Sequence, residues 1–200
     1  ATGGRLMRAL LLVADPDADS YTHELARRAE SGLLAAGNEV TVVDLHATGF
    51  TAAMSSVERE AYHGDEPVVS EQVAEQAALV TAADALVVVY PTIAGGLPAI
   101  LKGWFERVLV PGVGFGFNAK GKVRPALTGI RHIVGVATYH EPRWKVAARN
   151  DNGRRTLTRA LRMSCGLQAR AHWLGFHGPT STTRRDEFAD RVEREMTELS

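Results

Sequence analysis

The sequence has a single cysteine and no excess of either charge. Cys165 alone cannot form an intramolecular disulfide, which excludes a disulfide-stapled secreted scaffold and leads us to expect a reducing cytosol. Lysine plus arginine and aspartate plus glutamate each number 23, so nothing attracts the chain as a whole to nucleic acid or to an anionic membrane. These two absences favour a small-molecule ligand, neutral or locally anionic.

Long apolar runs are also missing. No segment approaches the roughly 18 to 20 apolar residues that span a bilayer, so we expect no transmembrane segment. The polar start ATGGRLMR carries no secretory signal pattern, and we expect residues 1–7 to be a flexible N-terminus. With 200 residues, 45% of them hydrophobic, the chain can bury the core of a single domain.

What the sequence does contain is an alternation of short apolar runs with amphipathic segments. Unbroken apolar runs predict strands covered on both faces, and apolar residues three or four apart predict helices. The predicted strands are 9–14, 39–44, 84–90, 131–138 and about 169–174. The predicted helices are 20–36, 70–83, 99–108, about 154–163 and about 185–199. This alternation predicts an α/β fold, a flavodoxin-like doubly wound parallel sheet of order 2-1-3-4-5 with helices on both faces.

In such a sheet the ligand site lies beyond the carboxyl ends of the first and third strands. The loop after the first strand ends with Ser20, Tyr21 and Thr22, where a helix begins. Free backbone N–H groups, the helix dipole and hydroxyl groups together suit a phosphate. The alternative for Ser20 is a simple helix N-cap.

The loop after the third strand, 91–98, holds Gly95 and Gly96 between two prolines. Small residues at a strand end let the backbone approach a planar ring system closely. The alternative is a plain turn into the next helix.

Several other features carry less chemistry. The connections 47–69 and 110–129 are long. We interpret them as candidates for lids or partner contacts, and the alternative is surface packing. The histidines show no metal-ligand spacing with one another or with Cys165, which we expect to be a buried apolar residue. The closing run RRDEFADRVEREM reads as a solvated amphipathic helix without chemistry, its inward residues being Phe188, Val192 and Met196.

At the third strand's exit, GLPAILKGWFERVLVPGVGF (96–115) resembles the signature of the flavin-dependent NAD(P)H:quinone oxidoreductase family of flavodoxin-like fold. Further matches are Ala14 and Pro16 around the end of the first strand, the Ser20–Thr22 helix start, and Asp44-Leu45 followed by Gly49-Phe50.

This resemblance implies a two-electron, ping-pong reduction: hydride passes from NADH or NADPH to flavin N5, and from there to a quinone or similar acceptor. The flavin is FAD or FMN, with the Ser-Tyr-Thr start favouring the diphosphate of FAD. The resemblance also implies a homodimer, because family members build the active site across their interface. It assigns flavin contacts to Ser20, Tyr21, Thr22, Pro91, Thr92, Ile93, Ala94 and Thr138, and places Tyr139 and His140 on the third side of the pocket. From their chemistry, Tyr139 or His140 could hydrogen-bond a flavin carbonyl or donate a proton to a reduced quinone. The alternative for His140 is a surface histidine in a loop.

The chain departs from the family pattern at three places. Asp15 replaces a histidine close to the flavin phosphate, and a carboxylate about 5 Å from a phosphate costs roughly 3 kcal/mol at an effective dielectric of 20. Ala94 and Gly95 replace an aromatic pair, which widens the cleft, and TYHEPRWK (138–145) replaces a glycine-rich segment. These departures leave open a rival interpretation, a regulatory or ancillary binding subunit with weak or lost flavin binding.

Overall fold

The computed structural model describes residues 6–178 and 182–199. Its strands are β1 (Arg8–Val13), β2 (Glu39–Asp44), β3 (Ala85–Pro91), β4 (Phe115–Phe117), β5 (Val123–Pro125), β6 (His132–Tyr139) and β7 (Arg170–His177). Its helices are α1 (Tyr21–Ala35), α2 (Ser56–Ala61), α3 (Glu71–Ala82), α4 (Ala99–Val108), α5 (Arg143–Ala148), α6 (Asn152–Arg155), α7 (Arg162–Cys165) and α8 (Thr182–Thr197), with a π-helical segment, Thr156–Leu161, joining α6 to α7.

Five of these strands form one parallel sheet in the order β2-β1-β3-β6-β7. Counted along the sheet's own strands this is the order 2-1-3-4-5, so the predicted flavodoxin-like topology is confirmed. The unbroken apolar runs form strands because both faces of the sheet are covered. In β1, for example, every residue from Ala9 to Val13 is buried.

Two hydrophobic clusters cover the sheet, one on each face. Alternate residues of β1 divide between them: Leu10 and Leu12 join the cluster that contains Trp104, while Leu11 and Val13 join the cluster beneath α1 and α8. Met7, expected in a flexible N-terminus, is instead buried, and its N–H donates to Asn38 Oδ1 at 3.3 Å. Residues 1–5 of that expectation lie outside the described part of the chain.

The long connections are partly ordered into elements that the apolar pattern did not predict. The first contains α2, which Ser55 and Glu58 cap reciprocally, each side chain accepting the other's backbone N–H. The second contains the antiparallel pair β4–β5, closed by Asn118, whose side chain accepts the N–H groups of Lys120 and Lys122. Within the two described ranges, every helix is too short or too polar to traverse a bilayer.

Candidate functional site

The predicted site loops meet at the carboxyl edge of the sheet because backbone hydrogen bonds extend the ladder beyond the strands. Ala14 N–H donates to Val89 O at 3.1 Å, and Thr92 N–H donates to Thr138 O at 2.8 Å. The segments that follow β1, β3 and β6 are thereby held side by side. Two cavities open between them, and both are lined by Tyr139 and His140.

The first cavity, of about 330 Å³, lies at the start of α1 and is here called the helix-start cavity. It gathers most of the predicted flavin contacts. Its lining residues are Asp15, Ser20, Tyr21, Thr22, Pro91, Thr138, Tyr139, His140, Phe176, Gly178 and Arg185.

Two of the hydroxyl groups predicted to meet a phosphate already have partners. Ser20 is the N-cap of α1, and its Oγ accepts the N–H of His23 at 3.3 Å. The Tyr21 hydroxyl donates to the backbone carbonyl of Arg185 at 2.7 Å. The N–H groups of Tyr21 and Thr22 have no acceptor among the described residues, so the backbone offers donors here.

Arg185 is the cation of this cavity, and the sequence interpretation missed it. Its guanidinium lies 4.2 Å from the centroid of the Tyr21 ring. The closing helix, which was expected to carry no chemistry, thus contributes Arg185 to the cavity lining. Val192 and Met196 are buried as predicted, and Phe188 packs against the core. Asp15 lines the same cavity, and its Oδ1 accepts the N–H of Asp17 at 3.1 Å. Asp15, whose carboxylate was expected to repel a phosphate, thus shares the cavity with the Arg185 guanidinium.

The second cavity, of about 210 Å³, lies beside the turn after β3 and is here called the turn cavity. Its lining residues are Thr92, Ala94, Gly95, Tyr139, His140, Glu141, Val146, Arg149 and Asp151. Residues 93–96 form a tight turn in which Ala94 and Gly95 have φ of 49° and 77° and Gly96 N–H donates to Ile93 O at 2.9 Å. The loop is therefore a type I′-like turn.

This turn leaves hydrogen-bonding groups without partners. The N–H groups of Ala94 and Gly95 have no acceptor among the described residues, and the buried Thr92 Oγ1 is likewise without a partner there. Ile93, predicted to contact flavin, has a side chain that is 53% exposed and lines neither cavity.

Between the two cavities stands a cluster centred on Tyr139. Its hydroxyl donates to Asp151 Oδ2 at 2.8 Å, and its ring stacks on His177 with centroids 4.3 Å apart. Burial and the Asp151 carboxylate raise the pKa of Tyr139, so the hydroxyl stays protonated. Burial lowers the pKa of His177. Asp151 was not predicted, although it lies in RNDNG, a run rich in residues that tolerate the left-handed conformation which Asn150 and Asp151 adopt.

Trp144 and Cys165 lie apart from this cluster. Trp144 is 69% exposed, with Lys145 Nζ 5.6 Å from its ring centroid. Cys165 is fully buried and burial raises its thiol pKa to about 12, which confirms the expected apolar role. Within residues 6–178 and 182–199 no three His, Cys, Asp or Glu side chains are grouped to hold a metal.

Comparison with known proteins agrees with this architecture. NAD(P)H dehydrogenase (quinone) 1 of Cavia porcellus is 32% identical over 129 aligned residues, covering 57% of this chain and 47% of that protein. The chain thus spans about half the length of the first curated relatives it matches.

Two solved structures share the fold. NAD(P)H:quinone oxidoreductase from Methanothermobacter marburgensis superimposes with a TM-score of 0.84 at 23% identity, covering 98% of this chain and 100% of that one. An FMN-dependent NADH-azoreductase from Bacillus anthracis, solved with FMN, gives 0.72 at 13% identity, covering 97% and 99%.

The resemblance to NAD(P)H:quinone oxidoreductases that the motifs predicted is confirmed by these similarities. A family model described as "Flavodoxin-like fold" matches residues 7–196, nearly the whole chain. The protein therefore belongs to the Flavodoxin_2 family of flavodoxin-like proteins.

Proposed function

We propose that the protein is a flavin-dependent NAD(P)H oxidoreductase that reduces a quinone or similar acceptor. The observation that carries this proposal is the meeting of two cavities of different character at Tyr139 and His140. One has the start of a helix and a cation, which suit a phosphate. The other has a flat turn with unpaired backbone donors, which suits the polar edge of a planar ring.

The residues present fit a flavin. At the helix-start cavity, the free N–H groups of Tyr21 and Thr22 and the Arg185 guanidinium would hold the phosphate. At the turn cavity, the N–H groups of Ala94 and Gly95 and the unpartnered Thr92 Oγ1 would meet ring oxygens and nitrogens. A bound flavin supplies the hydride-transfer chemistry, and the protein supplies position and polarity.

Tyr139 and His140 are proposed to act on the acceptor. Asp151 accepts the Tyr139 hydroxyl, which fixes the Tyr139 side chain between the two cavities, where it would orient a ligand. His140 is exposed and lines both cavities, so its imidazole is placed to give the proton that a quinone oxygen takes when the quinone accepts hydride.

The finer features of the proposal follow the family resemblance. FMN has the better support of the two flavins, since similar folds include an FMN-dependent enzyme solved with FMN. Donor and acceptor are proposed to use the turn cavity in succession, which gives ping-pong kinetics. We also propose a homodimer, supported by the exposed apolar residues Phe117 and Val123 on the β4–β5 pair.

The test is the visible spectrum of the purified protein after incubation with FMN or FAD and removal of free flavin. We expect a retained yellow absorbance that bleaches with NADPH or NADH and returns when a quinone is added. A folded protein that retains neither flavin would reject the proposal and favour the rival, a binding subunit without catalysis.

Two variants test the placement of the phosphate. Ser20→Asp keeps an N-cap acceptor but adds a carboxylate beside the phosphate, and Arg185→Gln removes the cation. We expect each to weaken flavin binding at least tenfold in a fluorescence titration. Arg184→Gln, which changes an exposed neighbour outside the cavity lining, is the matched control. Equal affinity of all three variants and the parent would place the phosphate elsewhere.

A further inference from the structure

A third cavity, of about 260 Å³, opens over the edge strand β7, next to the turn cavity. We propose that this edge cavity binds a phosphate monoester, and that its ligand is the 2′-phosphate of NADPH. The assignment to NADPH rests on the function proposed above, whereas the phosphate site rests on the cavity itself.

Three arginines from three separate elements converge on the edge cavity. Arg143 belongs to α5, Arg154 to α6 and Arg191 to α8. The side chains of Arg143 and Arg154 have no ion-pair partner in the described ranges, and Arg191 meets only Glu195, at 3.7 Å. Arginines on one helix face are often merely solvated, but convergence from three elements concentrates positive charge in a chain that has no net charge.

One carboxylate lines this cavity beside the three arginines and offsets one of their charges, so the lining keeps an excess of positive charge. Asp151 is the lining carboxylate, and both of its oxygens are engaged: Oδ2 accepts the Tyr139 hydroxyl and Oδ1 accepts the N–H of Arg154. A phosphate dianion matches this set, because guanidinium groups bind its oxygens in pairs.

The position of the cavity indicates which phosphate it takes. Val146 and Asp151 line both the edge cavity and the turn cavity, so the two cavities are adjacent and suit the two ends of one long ligand. NADPH has this form, since its 2′-phosphate lies at the far end of the molecule from the nicotinamide ring.

Calorimetric titration at low salt tests the site with three probes: 2′,5′-ADP, 5′-AMP and inorganic phosphate. We expect 2′,5′-ADP to bind at least tenfold more tightly than 5′-AMP. Arg154→Gln and Arg191→Gln should each weaken 2′,5′-ADP binding at least tenfold. The matched controls Arg155→Gln and Arg194→Gln change exposed arginines of the same helical segments outside the cavity lining, and should alter it less than twofold.

Equal affinities for 2′,5′-ADP and 5′-AMP, or equal losses in the control variants, would overturn the proposal. Binding of inorganic phosphate without preference for 2′,5′-ADP would reject the dinucleotide as ligand. These titrations need no flavin, so a protein that fails to retain flavin still decides the inference. In a flavin-loaded enzyme, the ratio of the KM for NADPH to the KM for NADH should rise at least fivefold in Arg154→Gln.

Discussion

Ala94 adopts a backbone conformation that a residue with a Cβ rarely tolerates. Its φ of 49° lies in the left-handed region, which costs a non-glycine residue roughly 1 kcal/mol, and asparagine is the residue that type I′ turns favour at this place. We expect Ala94→Asn to raise the free energy of unfolding by about 0.5 kcal/mol and Ala94→Val to lower it by about 1 kcal/mol or more. Urea denaturation measures both, and equal midpoints for the two variants would contradict the turn assignment.

Arg107 and Glu58 form a buried ion pair with side chains 6% and 8% exposed. The guanidinium donates to Glu58 Oε1 at 2.6 and 2.9 Å, donates to Thr51 O as well, and lies 5.1 Å from the centroid of the Phe50 ring. Removing one charge leaves the other buried without compensation, so Glu58→Gln should lower the free energy of unfolding by about 3 kcal/mol. The exposed Glu60→Gln is the control, and a comparable loss there would show that the pair is not responsible.

At the scale of elements, helices α1 and α8 approach so closely that Gly32 has no room for a side chain. A Cβ at this position would lie 2.2 Å from the carbonyl oxygen of Glu193 and 2.9 Å from Met196 Cβ. Gly32→Ala must therefore push the helices apart, and the gain in helix propensity offsets only about 1 kcal/mol of that cost. We expect a net loss of about 1 to 2 kcal/mol in urea denaturation.

Gly116→Ala is the matched control for the helix contact, because a Cβ there meets no atom within 4 Å and the residue has an ordinary φ. An unchanged stability of Gly32→Ala would mean that α1 and α8 are separated by more than this structure shows.

The elements with long apolar patterns were predictable, and the short ones were not. Every strand of the main sheet lies within three residues of its predicted bounds, because burial on both faces leaves a continuous apolar run. Helix α5 and the strands β4 and β5 have six residues or fewer, too few to show a period. Helix α2 is equally short, but its Ser55–Glu58 capping box is a sequence signal that would have located it.

The site was predictable only as far as topology determines it. Residues at the ends of neighbouring strands, such as Pro91 and Thr138, must lie together once the strand order is known. Arg185 enters the site only through the path of the chain after β7, and Asp151 only through the hydrogen bond from Tyr139. Neither distance along the sequence nor residue type reveals such contacts.

At the scale of the whole molecule, the charged residues are unevenly distributed although the net charge is zero. Arg143, Arg154 and Arg191 line one cavity. The carboxylates of Glu58 and Asp44, by contrast, accept hydrogen bonds within the fold, from Arg107 and from the His46 N–H. A protein that is neutral overall can thus still bind an anion, because the local field and not the sum governs the site. The local surroundings of individual charged groups also determine how the free energy of unfolding depends on pH.

Buried histidines should make the protein lose stability on mild acidification. His132 is 6% exposed, its ring centroid lies 5.8 Å from that of His172, and burial followed by the nearby His172, Arg170 and Arg131 lowers its pKa. The unfolded chain therefore binds protons more readily below about pH 6.5, so the free energy of unfolding is highest above that pH and falls as the pH drops through it. The variant His132→Gln should flatten this first decline in urea denaturation between pH 8 and pH 5.

A second decline should follow at lower pH, with carboxylates as its source. Burial alone would raise the pKa of Glu58, but the hydrogen bonds from Arg107 and Ser55 outweigh it and the pKa is lowered. The pKa of Asp44 is lowered in the same way, because the N–H groups of Ala47 and His46 and the side chain of His23 hydrogen-bond to its carboxylate. Carboxylates with lowered pKa values stabilise the fold above about pH 4.5, and that contribution disappears as the pH falls through their folded pKa values. Below pH 4.5 the free energy of unfolding of Glu58→Gln should therefore depend less on pH than that of the parent, while the decline near pH 6.5 persists. Loss of the decline near pH 6.5 in Glu58→Gln, with the acid decline unchanged, would contradict this assignment.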